Sequence, residues 1–342
     1  MDKLKIVIPT AGWATRMRPQ TWSKPKPLVS VAGKAAIDHL LEMFKTVPNV
    51  GKAEFVIILG PHLGETQIPP FMKENHPAIQ VDFVVQPVMR GQSDALSLAR
   101  QHLEGPMIMC FSDTLIETDF SFLAEAPDQA TAWIKQVPDP RPYGVAEVGG
   151  DGNVTRLVEK PTSLENNRVV VGCYYFPEGR DLVAAIDEQV RRGKSLKGEY
   201  FLADAINILL ERGLVMRTRA VEVWLDTGTI DAILQANRYL LANGRASHTR
   251  HEKRDGVEIV PPVFIHPTAR LRDSVIGPNV SIGPDCQISQ ARLEDSILES
   301  GVTVESASLT GSFIGRQARI RCRTSDEPAM RLNIGDNSSI TL

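Results

Sequence analysis

Four cations crowd one short stretch of this chain: Arg16, Arg18, Lys24 and Lys26, all within PTAGWATRMRPQTWSKPKP at 9–27. So many positive charges cannot all be buried unpaired, so they call for an anionic partner. The stretch follows the apolar run LKIVI (4–8) directly. A strand that leaves into Ala11-Gly12 and turns at Ala14-Thr15 can aim backbone N–H groups at a polyphosphate. These residue types fit a phosphate-binding loop; the alternative is an ordinary strand-to-helix loop with a solvated charged face. Neither the P-loop nor the dinucleotide glycine spacing is present. Two carboxylates stand at comparable places further on, Asp113 in FSDT after MIMCF (107–111) and Asp226 in WLDTGT (224–229). Taken alone, the first could cap a helix and the second could form a turn. Gln86, in VVQP (84–87), taken alone reads as a surface residue after a strand.

The elements that must position these groups are legible as short aliphatic runs. LKIVI, EFVIIL (54–59), VDFVV (81–85) and MIMCF read as strands buried on both faces. Helical patterns lie between them at Ala35–Phe44 and Ser93–His102. Strands alternating with helices predict a Rossmann-like α/β fold, a mostly parallel sheet with helices on both faces and ligands at the strand carboxyl ends. Ala130–Gln136, Gly144–Val148, Val154–Glu159 and Val169–Phe176 are close-set strand candidates, expected to form an antiparallel insertion covering one side of that sheet. Helices are expected at Asp181–Arg192, Leu202–Glu211 and Ile230–Leu241.

The character changes near residue 243. NGRASHTRHEKRDG (243–256) is polar and basic, as a linker would be. Beyond it Ile276, Ile282 and Ile288 stand six residues apart, with looser copies at Leu293, Leu298, Val304, Leu309, Ile314 and Ile320, and after a break at Ile334 and Ile340. A six-residue aliphatic period marks a parallel β-helix, whose coils bury their apolar corners on one another, and the segment resembles the hexapeptide-repeat domains of left-handed type. A plain antiparallel β domain is the alternative. The expected domains are 1–243 for catalysis, 244–258 as linker and 259–342 as β-helix. Stacked coils leave exposed ends that pack against copies of themselves, so a homo-oligomer is expected.

A formal net charge of -3 gives no basic surface for nucleic acid, so an anionic ligand must be captured by local cations. No stretch approaches the roughly 18 apolar residues of a membrane span. The cysteines (Cys110, Cys173, Cys286, Cys322) have no metal-ligand spacing and read as buried reduced thiols, which fits a cytoplasmic address. None of the seven histidines joins a Ser or Cys in a nucleophilic triad.

The segment at 9–27 resembles the sugar nucleotidyltransferase family, the glucose-1-phosphate thymidylyl- and uridylyltransferases and their relatives. The resemblance rests on Ala14-Thr15-Arg16, Pro19, Lys26-Pro27-Leu28 and Gly33-Lys34, and it continues in order along nearly all of residues 4–243. Trp13 and Ala14 replace small or Gly residues of the family loop, and Ala35 stands where Pro is usual. Alanine tolerates positive φ poorly, so a stiffer loop or a different path is expected.

The resemblance implies that Arg16 clamps the β- and γ-phosphates and Lys26 sits on the attacked α-phosphate. It implies nucleotide contacts from Ala11, Gly12, Thr15, Gln86 and Gly91, with Gln86 and RGQSDAL (90–96) reading the base. It places the hexose and its phosphate against Tyr143, Gly144, Glu159, Lys160, Gly172 and Tyr174. It pairs Asp113 with Asp226 as Mg²⁺ ligands, and Mg²⁺ needs only one or two carboxylates beside phosphate oxygens and water. Glu199 and Asp204 in GEYFLAD resemble a structural region and stand outside the expected site. The implied reaction is attack of a hexose 1-phosphate, glucose 1-phosphate foremost, on the α-phosphate of dTTP or UTP, with loss of pyrophosphate. Three alternatives stand beside it: a guanylyltransferase acting on mannose 1-phosphate, a bifunctional enzyme whose β-helix transfers an acetyl group, and a non-catalytic regulatory relative.

Overall fold

The aliphatic runs become the strands β1 (Lys5–Pro9), β2 (Glu54–Leu59), β3 (Val81–Val85) and β4 (Met107–Cys110) of a computed structural model that describes residues 3–254, 256–323 and 328–342. They are followed by β5 (Ala130–Gln136), β6 (Gly144–Val148), β7 (Val154–Glu159), β8 (Arg168–Phe176) and β9 (Met216–Ala220). The helices are α1 (Ala36–Met43), α2 (Leu63–Asn75), α3 (Gln92–Leu98), α4 (Gly179–Arg191), α5 (Leu202–Glu211) and α6 (Ile230–Leu240). The described residues fall into two compact units, 3–13 with 40–224 and 14–39 with 225–342.

The first unit is built on a nine-stranded sheet of order β7-β6-β8-β4-β1-β2-β3, with β5 pairing β8 and β9. The four aliphatic strands run parallel, as the sequence predicts. Ile6, Val7 and Ile8 are all buried, so β1 is covered on both faces. The later strands are antiparallel to their neighbours along β6, β7 and β8 but do not cover the sheet. They extend it edgewise, because the nine residues of β8 are long enough to pair with β4 at one end and β6 at the other, with β5 alongside both ends. The register of β8 on β5 breaks between Val170 and Tyr174, around Gly172 at φ 83°. Leu96, Leu103, Met109, Phe176, Leu182 and Ile206 fill the core between the sheet and α3, α4 and α5.

In the second unit each coil gives one short strand to each of three five-stranded sheets. Apart from Glu252–Arg254 all these strands pair in parallel, which fits the expected left-handed β-helix. A coil of three six-residue sides takes about 18 residues. Here Val263 pairs Val280, 17 residues on, and Ile297 pairs Phe313, 16 on, so the five-residue spacings in the sequence are shortened sides. Asp273, Asn279, Asp285 and Asp295 hold the tight corners in the left-handed conformation that short polar side chains tolerate best. The recurring aliphatic residues from Ile276 to Ile320 all point inward and are buried.

Residues 14–39 and α6 pack on this β-helix. Met17, Val29, Val31, Ala32 and Ala36 share one apolar cluster with Ile233, Leu234 and Leu241 of the α6 segment and with Ile297 and Phe313 of the coils. Two-residue strands, Ser30–Val31 and Lys34–Ala35, form a hairpin whose turn, Ala32-Gly33, has positive φ at both residues. The Phe264 ring lies so close over Gly33 that a Cβ there would stand 2.5 Å from it. No helix among the described residues is long and apolar enough to cross a membrane.

Candidate active site

The loop bearing Arg16 and Lys26 is a chain of three tight turns, Thr15–Met17, Gln20–Trp22 and Lys26–Leu28. Each cation rides beside a buried anchor. Arg16 is exposed while Met17 is fully buried, and Lys26 is half-buried next to buried Pro27. Ala14 opens the first turn at φ 46°, ψ 42°, so the alanine takes the left-handed conformation in spite of its Cβ. That costs about 1–2 kcal/mol. The turn is held by the Ala14 carbonyl, which accepts from Met17 N–H at 3.0 Å and from the Thr21 hydroxyl at 2.9 Å. Thr15 is exposed at the same turn.

Three charged groups of the second unit converge on Gly228. Asp226 Oδ1 accepts the Gly228 N–H at 2.7 Å. A Cβ built on Gly228 would stand 2.7 Å from that oxygen, 3.2 Å from Arg16 Nη2 and 3.4 Å from Lys26 Nζ. The two cations assigned to the phosphates and the carboxylate assigned to the metal are therefore neighbours, brought together from sites some 200 residues apart in the chain. The sequence singled out WLDTGT for its aspartate; the need for glycine two residues later shows only in three dimensions.

One cation of the loop is turned away from solvent. Lys24 is buried, its ammonium on Glu299 and 3.4 Å from Asp336 Oδ1. Burial pushes it down to about 8, against the pull of the Asp336 carboxylate. Its anionic partner is the β-helix, which the sequence did not reveal. Gln20 is buried beside it and donates to the carbonyls of Phe313 and Ile334 and to Asn333 Oδ1.

The remaining predicted residues lie in the first unit. Ala11 is buried under Gly60, and Gly12 is exposed with open space about its Cα. Gln86 is buried, and its amide N–H groups go to the Gly91 carbonyl at 3.1 Å and Asp94 Oδ2 at 2.8 Å. These bonds fix the orientation of the amide, with its carbonyl oxygen as the acceptor end. Gly91 has φ 102°, and a Cβ there would be 2.6 Å from the backbone of Tyr200.

Asp113 follows β4 and is pinned on both sides to the β8 irregularity. Phe111 N–H donates to the Gly172 carbonyl at 2.9 Å, and the Thr114 hydroxyl donates to the Val171 carbonyl at 2.6 Å. Gly172 itself has no room for a side chain, because Phe111 and Thr114 fill it. Burial, with Cys173 and the Asp113 charge, pushes the Cys110 thiol well up, so it stays neutral and is no nucleophile.

Tyr143, Gly144, Glu159 and Lys160 meet where β6 and β7 pair. Gly144 stands opposite Glu159, and Lys160 N–H donates to the Tyr143 carbonyl at 2.9 Å. The Tyr143 ring meets Trp224 edge-on at 5.0 Å, and Lys160 Nζ lies 4.8 Å from the centre of the Phe201 ring. Burial raises the Glu159 carboxyl; Lys160 opposes this, and the Asp204 and Glu199 charges add to it. Asp204 and Glu199, set aside in the sequence, are thus electrostatic neighbours of a predicted sugar ligand. Tyr174 is buried, and its hydroxyl is pushed up by that burial and then by the Glu159 charge. Among the described residues no three His, Cys, Asp or Glu side chains cluster as a metal cage.

A family model described as Nucleotidyl transferase matches residues 5–243, and one described as GMPPB C-terminal domain matches 259–327. The chain is 28% identical over 360 residues to a glucose-1-phosphate thymidylyltransferase of Streptomyces griseus, with 98% of each covered. It is 28% identical over 368 residues to the low-salt glycan biosynthesis nucleotidyltransferase Agl11 of Haloferax volcanii, covering 99% of this chain and 100% of that one. Among solved structures, a UDP-glucose pyrophosphorylase with UDP-glucose shares the fold, with a TM-score of 0.60 and 18% identity over 71% of this chain and all of the other. With a family match spanning residues 5–243 and relatives aligned from end to end, the chain is an enzyme of the nucleotidyl transferase family.

Proposed function

We propose that the chain transfers a nucleotidyl group from dTTP or UTP to a hexose 1-phosphate, glucose 1-phosphate foremost, in one displacement. A phosphate oxygen of the sugar attacks the α-phosphorus, and the bond from that phosphorus to pyrophosphate breaks. The observation that carries this is the convergence of Arg16, Lys26 and Asp226 on Gly228. Two cations beside one carboxylate are the residue types that a polyphosphate calls for, and in such transfers the protein chiefly positions groups and neutralises charge on phosphate oxygens. The Arg16 fork suits the leaving pyrophosphate and Lys26, a flexible point charge, the attacked phosphate.

Two aspartates are a donor set that fits Mg²⁺, which takes hard oxygen ligands and leaves most of its shell to phosphate and water. Asp113 and Asp226 would hold it, and when bound it would offset the charge of the phosphates. Glu159 accepts hydroxyl donors of the hexose, and Lys160 balances its phosphate. The β-helix serves assembly of like chains in this reading.

The test is pyrophosphate release from a matrix of dTTP, UTP, GTP and ATP against glucose, mannose and N-acetylglucosamine 1-phosphates, with MgCl₂. The dTTP or UTP row with glucose 1-phosphate should dominate, and Lys26→Ala should abolish release. GTP with mannose 1-phosphate as the best pair would overturn the substrate assignment. No release from any pair would overturn the reaction.

A further inference from the structure

We propose that Lys24 is a positioning residue through which the β-helix holds the Arg16–Lys26 loop in its nucleotide-binding geometry; this rests on the reading of the loop given above. Lys24 sits between the two functional cations in the chain, yet its side chain is 2% exposed and cannot reach a ligand. Its ammonium is shared by Glu299, also 2% exposed, and by Asp336. These carboxylates follow strands of one β-helix sheet, Ile297–Leu298 and Asn333–Ile334, with Gly315 following the strand between them. Gly315 leaves the space in which they face the same ammonium, since a Cβ there would stand 2.6 Å from Asp336 N.

Each carboxylate also grips the loop beside Lys24. Glu299 Oε1 accepts from Ser30 N–H at 3.2 Å, and Asp336 Oδ2 accepts from the Ser23 hydroxyl at 2.7 Å. Arg316 closes the far side of Asp336 at 2.8 Å. Gln20, four residues earlier, ties the loop to three further β-helix acceptors. The contacts bracket 20–30, the span that carries Lys26 and follows Arg16. A buried pair of this kind adds little to overall stability but fixes one arrangement, because every alternative leaves a charge buried without its partner.

Full-length Glu299→Gln, which keeps the Ser30 acceptor, and Lys24→Met are compared with Lys24→Arg, which keeps the charge. The readouts are backbone amide exchange over 14–30 and the KM for the nucleoside triphosphate against kcat. The expected result is exchange about tenfold faster in that segment and a KM raised about tenfold to a hundredfold, with kcat falling less and Lys24→Arg restoring most of both. A merely structural pair would lower yield and melting temperature while leaving the KM of the folded protein unchanged. If Lys24→Met does not fold, Asp336→Asn takes its place. Unaltered exchange and KM in folded Glu299→Gln and its companion would overturn the clamp. Amide exchange needs no turnover, so failure of the clamp is distinguishable from failure of the reaction, which wild-type pyrophosphate release tests alone.

Discussion

Replacing Gly228 by alanine should separate activity from stability more cleanly than removing any charge. The added methyl group would lie 2.7 Å from Asp226 Oδ1, whereas ordinary contact begins near 3.4 Å. The carboxylate must therefore retreat by about 0.7 Å, or the backbone must move by as much. Either shift strains the 2.7 Å bond from Gly228 N–H to that carboxylate. Arg16 Nη2, at 3.2 Å from the same point, must give by a few tenths of an ångström, and Lys26 Nζ, at 3.4 Å, is already at contact distance. Misplacement approaching 1 Å costs about a hundredfold in rate. A loss of thirty- to a hundredfold in kcat/KM is expected, about 2–2.7 kcal/mol of transition-state stabilisation.

Stability should barely change. Gly228 does not have positive φ, so alanine restricts the unfolded chain and regains about 0.4–1 kcal/mol, which offsets part of the clash. The assay is pyrophosphate release with the best wild-type substrate pair, beside a urea titration of the same preparation. A kcat/KM within twofold of wild type would refute the convergence of these three groups. So would a fall in rate matched by an equal fall in folded fraction.

Two further outcomes follow from buried polar groups. Asn237 is fully buried, accepting from Ala32 N–H and the Ser281 hydroxyl and donating to the Asn279 carbonyl; Asn237→Ala should cost about 2–4 kcal/mol by urea unfolding. The Glu159 carboxyl is raised in the folded state by burial, so wild type loses stability as pH rises from the unfolded value of 4.5 through the folded one. Glu159→Gln should therefore be more stable than wild type near pH 7, with the advantage fading below pH 4.5; an advantage that grows with acid would contradict this sign.

The strands and the β-helix were legible because both have short hydrophobic periods. LKIVI, EFVIIL and MIMCF are apolar but for Lys5 and Glu54, as strands covered on both faces must largely be, and the six-residue aliphatic period survives even where coils shorten. Arg16, Lys26, Asp113 and Asp226 each have a bland explanation taken alone, and could be singled out because the resemblance runs in order along residues 4–243. What the sequence hid was pairing across long separations. Nothing near Lys24 announces Glu299 and Asp336, 275 and 312 residues away, and so Lys24 reads as one more cation awaiting phosphate. The edgewise placement of β5 to β8 was hidden for a similar reason. Alternating strands show that a hairpin forms, but the length of β8 and its irregularity at Gly172 decide what it pairs with.

The arrangement around Gly228 also explains why the loop needs so much support. Two cations and one carboxylate meet at Gly228, and a site of this kind works best when its geometry is set before a polyphosphate arrives. Preorganisation of this kind must be held by groups that take no part in binding. Here Met17, Val29 and Val31 bury one side of the loop against α6 and the coils, and the hairpin turn at Ala32-Gly33 is locked by Asn237 and Phe264. Gln20 and Lys24 fasten the stretch between. The energy that keeps Arg16 and Lys26 together is thus supplied largely by contacts with the β-helix. Weakening those contacts should therefore appear first in nucleotide affinity, before it appears in the rate of the chemical step.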